Sequence, residues 1–168
     1  AVLRFWEPHD YFVVLGRSRP AQHDVHLDAC AQLKVPIVRR CSGGGTVLQS
    51  PGCLNYALIL PITHTSPWRE ITETNRYILQ RHQQALAPLV EQPISQQGDT
   101  DLTLGQRKCS GNAQRRTRRA LLFHGTFLLT LPIDHMEQLL PMPTRQPRYR
   151  QHRSHRDFLT SLPVHAEA

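Results

Sequence analysis

The 168 residues, 39% of them hydrophobic, suffice for one domain with a sizeable core, and no apolar run approaches the roughly 18 residues a membrane-spanning helix needs. With no charged-then-apolar leader and four cysteines that form no CxxC pair, a soluble cytoplasmic protein with reduced thiols is expected. A net charge of +7 and a pI near 9.8 point to an acidic partner, whether nucleic acid, an anionic lipid surface or an acidic carrier protein.

Residues 3–6 and 11–15 read as two strands of a hairpin separated by Glu7-Pro8-His9-Asp10. Asp24 is placed to cap a helix over 24–34, with Val25, Ala29, Cys30 and Leu33 on one face. Beyond Pro36 a strand ends at Arg39-Arg40, where the glycine-rich stretch 41–46 interrupts regular pairing. Residues 55–62 form a continuous apolar strand, and Ser66-Pro67 opens a helix to about Leu86, with Trp68, Ile71, Ile78 and Leu79 as its core contacts. Leu102 and Leu104 with Gly105-Gln106 suggest a hairpin into 107–115. Strands at 120–124 and 127–131 around Gly125, then a helix over 133–140, complete the body. Strands in runs with helices between them indicate an α+β fold with a mixed, mainly antiparallel sheet. The tail from Pro141 mixes four prolines with arginine and histidine, and reads as an extended arm with Phe158, Leu159 and Leu162 as a possible apolar anchor. The division is thus 1–140 for the body and 141–168 for the arm.

Three segments carry chemistry. In Arg39-Arg40-Cys41-Ser42-Gly43-Gly44-Gly45-Thr46 the glycines let backbone amides approach a ligand and the arginines offer charge to a phosphate or carboxylate. No Walker spacing and no Gly-x-Gly-x-x-Gly accompany them. In Arg107-Lys108-Cys109-Ser110-Gly111-Asn112-Ala113-Gln114 a lysine among small residues can serve as a point charge for a carboxylate, a phosphoryl oxygen or a developing oxyanion. Phe123-His124-Gly125-Thr126 sets a histidine near a strand end beside a residue that allows close approach.

In this order and spacing the three segments resemble the lipoate-protein ligase and octanoyltransferase family, relatives of the biotin-protein ligases. That family carries an Arg-Arg-x-Ser-Gly-Gly-Gly loop, a Lys-x-Ser-Gly-x-Ala segment and a later His-Gly-Thr. Leu3-Arg4-Phe5-Trp6, Val13-Val14-Leu15-Gly16-Arg17 and Leu54-Asn55-Tyr56 extend the resemblance over residues 3–131. It implies a mixed sheet with flanking helices, an apolar acyl tunnel, and Lys108 as the reaction centre of an enzyme that attaches lipoate or octanoate to a lysine of an acidic lipoyl carrier domain or H-protein. ATP and Mg²⁺ are implied for a ligase, which works through an acyl-adenylate. By matching position, Arg40, Ser42, Gly43, Gly44 and Gly45 line the acyl or adenylate site with Ser110, Gly111, Gly125 and Thr126, and Arg115 and His124 close it. Asn55 and Asp101 fall near the nucleotide, and Asp101 near the metal.

The chain departs from the family at Gln49-Ser50, where many ligases have His-Asp. It begins at a strand, without the helix that usually precedes it, and ends without the separate accessory domain found in some ligases; this leaves open a trimmed sequence, an accessory function on another chain, or transfer from a ready-made acyl-adenylate. A second route within the family takes octanoate from acyl carrier protein through a cysteine thioester without ATP. Cys109 adjoins Lys108 but should point to the opposite face of its strand, while Cys41 and Cys53 flank the loop. A different class, a basic nucleic-acid-binding module built on residues 115–119 and 145–156, is weakened by sparse aromatics. Those clusters suit an acidic carrier better. His23-x-x-His26 and His152-x-x-His155 lack a matching second half for a metal site.

Overall fold

The structure, a computed structural model, describes residues 1–164. In chain order its elements are β1 (Val2–Trp6), β2 (Phe12–Leu15), α1 (Ala21–Asp24), α2 (Leu27–Gln32), β3 (Ile37–Arg39), β4 (Val47–Gln49) and β5 (Cys53–Pro61). They continue with α3 (Ile71–Leu86), β6 (Ile94–Gln97), β7 (Asp101–Leu104), β8 (Arg107–Arg116), β9 (Ala120–Leu128), α4 (Ile133–Leu139) and α5 (His155–Phe158). The fold is α+β. A six-stranded antiparallel sheet runs in the order β1-β5-β9-β8-β7-β6, and a three-stranded sheet, β3-β2-β4, pairs β2 with β3 in parallel and with β4 antiparallel. No helix among the described residues is long and apolar enough to cross a membrane.

Period-two alternation along β9 divides the large sheet into two faces. Leu121, Phe123 and Phe127 pack with Tyr56, Leu102 and Cys109 against Ile78 and Leu79 of α3. Each such fully buried Leu or Phe contributes about 1.5–3 kcal/mol. Leu122, His124 and Thr126 face the other way, into a cleft shared with the small sheet. A second core, including Val13, Leu15, Leu48, Met136, Leu139 and Phe158, fastens the small sheet to α4 and α5.

Several elements differ from their sequence reading. β1 and β2 form no hairpin: β1 pairs with β5 and β2 belongs to the small sheet. The interval crosses between sheets because Pro8 is buried and the Glu7 carboxylate accepts the Gly52 N–H at 2.6 Å, beside the start of β5. The helix expected over 24–34 is broken at Val25, which turns extended and buries itself, while the next N–H, that of His26, donates to Leu139 O at 2.9 Å. Asp24 therefore ends one short helix instead of capping a long one. Helix α3 starts at Ile71 and not at Pro67, since the Arg116 guanidinium takes the carbonyls of Trp68 and Arg69; Ile71 is exposed and Thr74 and Asn75 join Ile78 and Leu79 inside. The two strands expected around Gly125 are one, β9.

The tail folds back over the body. A 3₁₀ turn at Arg148–Arg150 precedes α5, whose N-cap Ser154 accepts the Asp157 N–H. Leu159 then pairs in parallel with Lys108, the Thr160 N–H donates to Lys108 O at 2.9 Å, and the Leu162 N–H donates to Leu128 O.

Candidate functional site

Lys108 reaches the cleft through an irregularity in β8. Leu102 pairs with Ser110 but Thr103 with Lys108, so Cys109 is an extra residue opposite none. Counting back from Gly111 with strict alternation would put Lys108 on the core face; the bulge returns it to the cleft. Cys109 stays in the core, its thiol donating to Leu102 O, with Ser110 fully buried beside it. The Lys108 ammonium pairs with Asp101 Oδ1 at 2.7 Å, and Asp101 Oδ2 accepts the Tyr149 hydroxyl at 2.7 Å. Burial and the Asp101 charge push the Tyr149 phenol far above its ordinary value, so it remains a donor.

The glycine loop faces this lysine from the small sheet. Its two arginines are spent largely on backbone: Arg39 donates to the carbonyls of Gly16, Arg17 and Arg19, and Arg40 to those of Val14, Gly43 and Gly45. The guanidinium of Arg40 thus gives the loop its curvature, with Gly44 at φ +95° beneath it. Gly16 must also be glycine, since a β-carbon there would run into the Gly44 carbonyl. Ser42 turns inward, and its hydroxyl meets His124 Nε2 at 2.6 Å, joining the loop to β9. Burial, reinforced by the Arg40 cation, lowers the His124 pKa to about 4. The imidazole is therefore neutral near pH 7.

Under the loop Asn55, Gln49 and Thr126 close a ring of side-chain hydrogen bonds. Asn55 donates to Gln49 at 2.7 Å, Gln49 to Thr126 at 3.0 Å, and Thr126 to Asn55 at 2.6 Å. Gln49, where the family resemblance leads one to expect histidine, here supplies both a donor and an acceptor without a charge. A second network surrounds Asn112, which accepts from the Tyr56 hydroxyl at 2.6 Å and donates to Thr100 O.

The cleft has a volume of about 1510 Å³. Of the residues singled out in the sequence, Arg40, Gly44, Gly45, Asn55, Asp101, Lys108, Gly111, His124, Gly125 and Thr126 line it. Ser42 and Ser110 are buried behind it, and Gly43 and Arg115 line a smaller adjoining pocket with Arg17 and Cys41. Apolar lining comes from Val14, Val38, Val47, Ala57 and Leu122, and the exposed Arg145 and Arg148 of the tail stand at the rim. Three partners escaped the sequence reading: Tyr149, Gln49 and Asn112. Gln49 alone had a signal, as a departure from the family pattern.

The basic clusters are partly consumed by folding. Arg116 is bonded to carbonyls and to Thr74, Arg150 is buried over the Phe158 ring, and Arg156 pairs with Asp134 and Glu137. Arg115, Arg118 and Arg119 remain exposed.

"Putative lipoate-protein ligase A" of Schizosaccharomyces pombe is 32% identical over 133 residues, 79% of this chain and 34% of that protein. A structure of the bipartite lipoate protein ligase of Thermoplasma acidophilum and its E2 lipoyl domain matches with a TM-score of 0.79 at 22% identity, covering 98% of this chain and 65% of that one. A crystal structure of lipoate-protein ligase A bound with ATP matches with a TM-score of 0.74 at 24% identity, covering 98% and 66%. The chain therefore spans about a third of that curated relative and just under two thirds of the two solved chains. With a family model matching residues 1–167, this chain belongs to the family of lipoyl protein ligase A/B catalytic domains.

Proposed function

We propose that the chain attaches lipoate or octanoate to a lysine of a lipoyl carrier domain through an acyl-adenylate. The observation that carries this reading is the Lys108 ammonium, set on the wall of a partly apolar cleft opposite the glycine loop. A carboxylate is a poor electrophile. Attack of its oxygen on the α-phosphorus of ATP expels pyrophosphate and leaves AMP as a leaving group; the carrier amine then attacks the carbonyl and releases AMP. Lys108 would offset charge at the phosphate and on the carbonyl oxygen, while the valines and Leu122 hold the acyl chain. The ATP-bound ligase and the ligase studied with its lipoyl domain support the nucleotide and the carrier. Exposed Arg115, Arg118 and Arg119 are our candidates for docking an acidic carrier, H-protein included. Residues 1–140 would form the catalytic body and the tail its cover, and four free thiols support a reducing cytoplasm.

The residues present do not fit a protein-held Mg²⁺. Both Asp101 oxygens are engaged by Lys108 and Tyr149, and among the described residues no group of three His, Cys, Asp or Glu side chains converges.

One observation favours a second reading, ATP-independent transfer from acyl carrier protein. Cys41 is exposed and lines the cleft, whereas burial raises the thiol pKa of Cys30 and Cys53 and pushes Cys109 up to about 12. Any thioester would then form on Cys41. Incubating the protein with a lipoyl domain and either lipoate, ATP and Mg²⁺ or octanoyl-acyl carrier protein separates the two. Modification only with ATP supports the adenylate route, modification without ATP that is lost in Cys41→Ser supports the thioester, and none with either donor overturns both.

A further inference from the structure

We propose that Tyr149 is a positioning residue for Lys108, acting through Asp101; this rests on the role given to Lys108 above. The Asp101 carboxylate is divided, one oxygen on the lysine and the other on the phenol, each at 2.7 Å. Among the described residues, no other side chain bonds to it. An ion pair between two flexible side chains leaves the carboxylate free to rotate, and a second donor at the far oxygen fixes which oxygen meets the ammonium.

Tyr149 is itself well anchored. Its ring packs on Phe158 with centroids 5.2 Å apart, and its carbonyl accepts from Arg153 at 2.8 Å. A few residues on, Thr160 donates its N–H to the Lys108 carbonyl. One stretch of the tail thus closes on Lys108 twice, at its backbone and, through Asp101, at its ammonium. The tail holds the charge of the lysine in place as well as covering the cleft.

The sequence permits a test that does not need turnover, because Lys34 and Lys108 are its only lysines. Acetylation by an amine-reactive ester, followed by peptide mass spectrometry, gives the labelling rate of Lys108 relative to Lys34. Losing one hydrogen bond should raise that ratio about three- to tenfold in Tyr149→Phe. Asp101→Asn should raise it at least as far, and the double variant no further than Asp101→Asn. In carrier modification, Tyr149→Phe should lower kcat about tenfold at unchanged KM for lipoate, again with no added loss on Asp101→Asn. An unchanged or lower labelling ratio, or additive effects, overturns the inference. If Tyr149→Phe melts early, Tyr149→His, which retains a ring donor, should restore the lower ratio, and failure to do so also counts against it. A wild-type protein without transfer activity would sink the proposed function while the labelling ratio still decides this one.

Discussion

The Lys108 ammonium lies over Gly111, 2.8 Å from where a β-carbon on that glycine would stand. Two residues three apart share one face of β8 only because Cys109 is an extra residue between them. The lysine is thereby folded across the strand toward Asp101.

Gly111→Ala should therefore displace the flexible end of Lys108 and leave the sheet intact. Carrier modification is expected to fall at least tenfold, about 1.4 kcal/mol of barrier, with the melting temperature within a few degrees of wild type. Gly125→Ala is the contrast, because its β-carbon would overlap the Asn112 amide and sit 2.9 Å from the Gly111 carbonyl. That variant should lose stability first, as a thermal melt would register.

Lys108→Ala should reduce modification by about a hundredfold or more, the usual scale for removing a charge aimed at a reacting centre. Lys108→Arg should not rescue it, since a planar fork cannot occupy the point position between Asp101 and Gly111. Near-normal turnover in either variant contradicts the assignment.

His82 and His124 predict the acid side of the stability curve. Both are lowered from 6.5 to about 4, His82 by burial and His124 by burial and Arg40. Above pH 6.5 both are neutral folded or unfolded and contribute no slope. Between about 6.5 and 4 the unfolded chain takes up protons that the folded chain refuses, so stability falls with pH, each histidine adding up to about 1.4 kcal/mol per pH unit. His82 Nδ1 is buried with no hydrogen-bond partner among the described residues, and the ring lies edge-on to Tyr56 and Phe127. Burial and the Arg150 charge lower His155 as well, so urea denaturation of His82→Phe at pH 5 and pH 7 should show a smaller loss than wild type without abolishing it; an undiminished loss would place the protons elsewhere.

Asn55→Ala breaks the ring with Gln49 and Thr126 and takes away the donor to the Gln49 amide oxygen and the acceptor of the Thr126 hydroxyl. A destabilisation of about 1–3 kcal/mol is expected, measurable by chemical denaturation. Gln49→Leu should cost a similar amount, for the same reason.

Reversing Arg118 and Arg119 to glutamate should raise the KM for an acidic carrier about tenfold at low salt and leave free-lipoate activation unchanged. The difference from wild type should shrink as ionic strength rises. Salt-independent modification in both proteins would dismiss the docking role.

What was legible in the sequence followed from local chemistry. The apolar run of β5, the Gly105 hairpin and the glycine loop announce themselves because a strand, a turn and an open backbone each need particular residues nearby. The opposition of Lys108 and Cys109 was also legible, though its cause was hidden: a bulge depends on the partner strand β7, which leaves no mark on β8 itself. The helix break at Val25 is set by Leu139 and the late start of α3 by Arg116, both distant in sequence. Tyr149 was invisible as a site residue for a like reason, since its 48-residue separation from Asp101 is bridged only when the tail folds back.

The Lys108–Asp101 ion pair bears on a hazard peculiar to acyl-transfer chemistry. A protein that holds an activated acyl group against its own amines risks modifying itself. An ammonium that donates to a carboxylate has no lone pair to offer, so under the proposed function Lys108, which lines the cleft, would be kept from competing with the carrier. Nearly all the remaining basicity is arginine, whose guanidinium is a poor nucleophile, and Lys34 does not line the cleft. Under that proposal the positive charge of the chain would act electrostatically without offering an acyl acceptor.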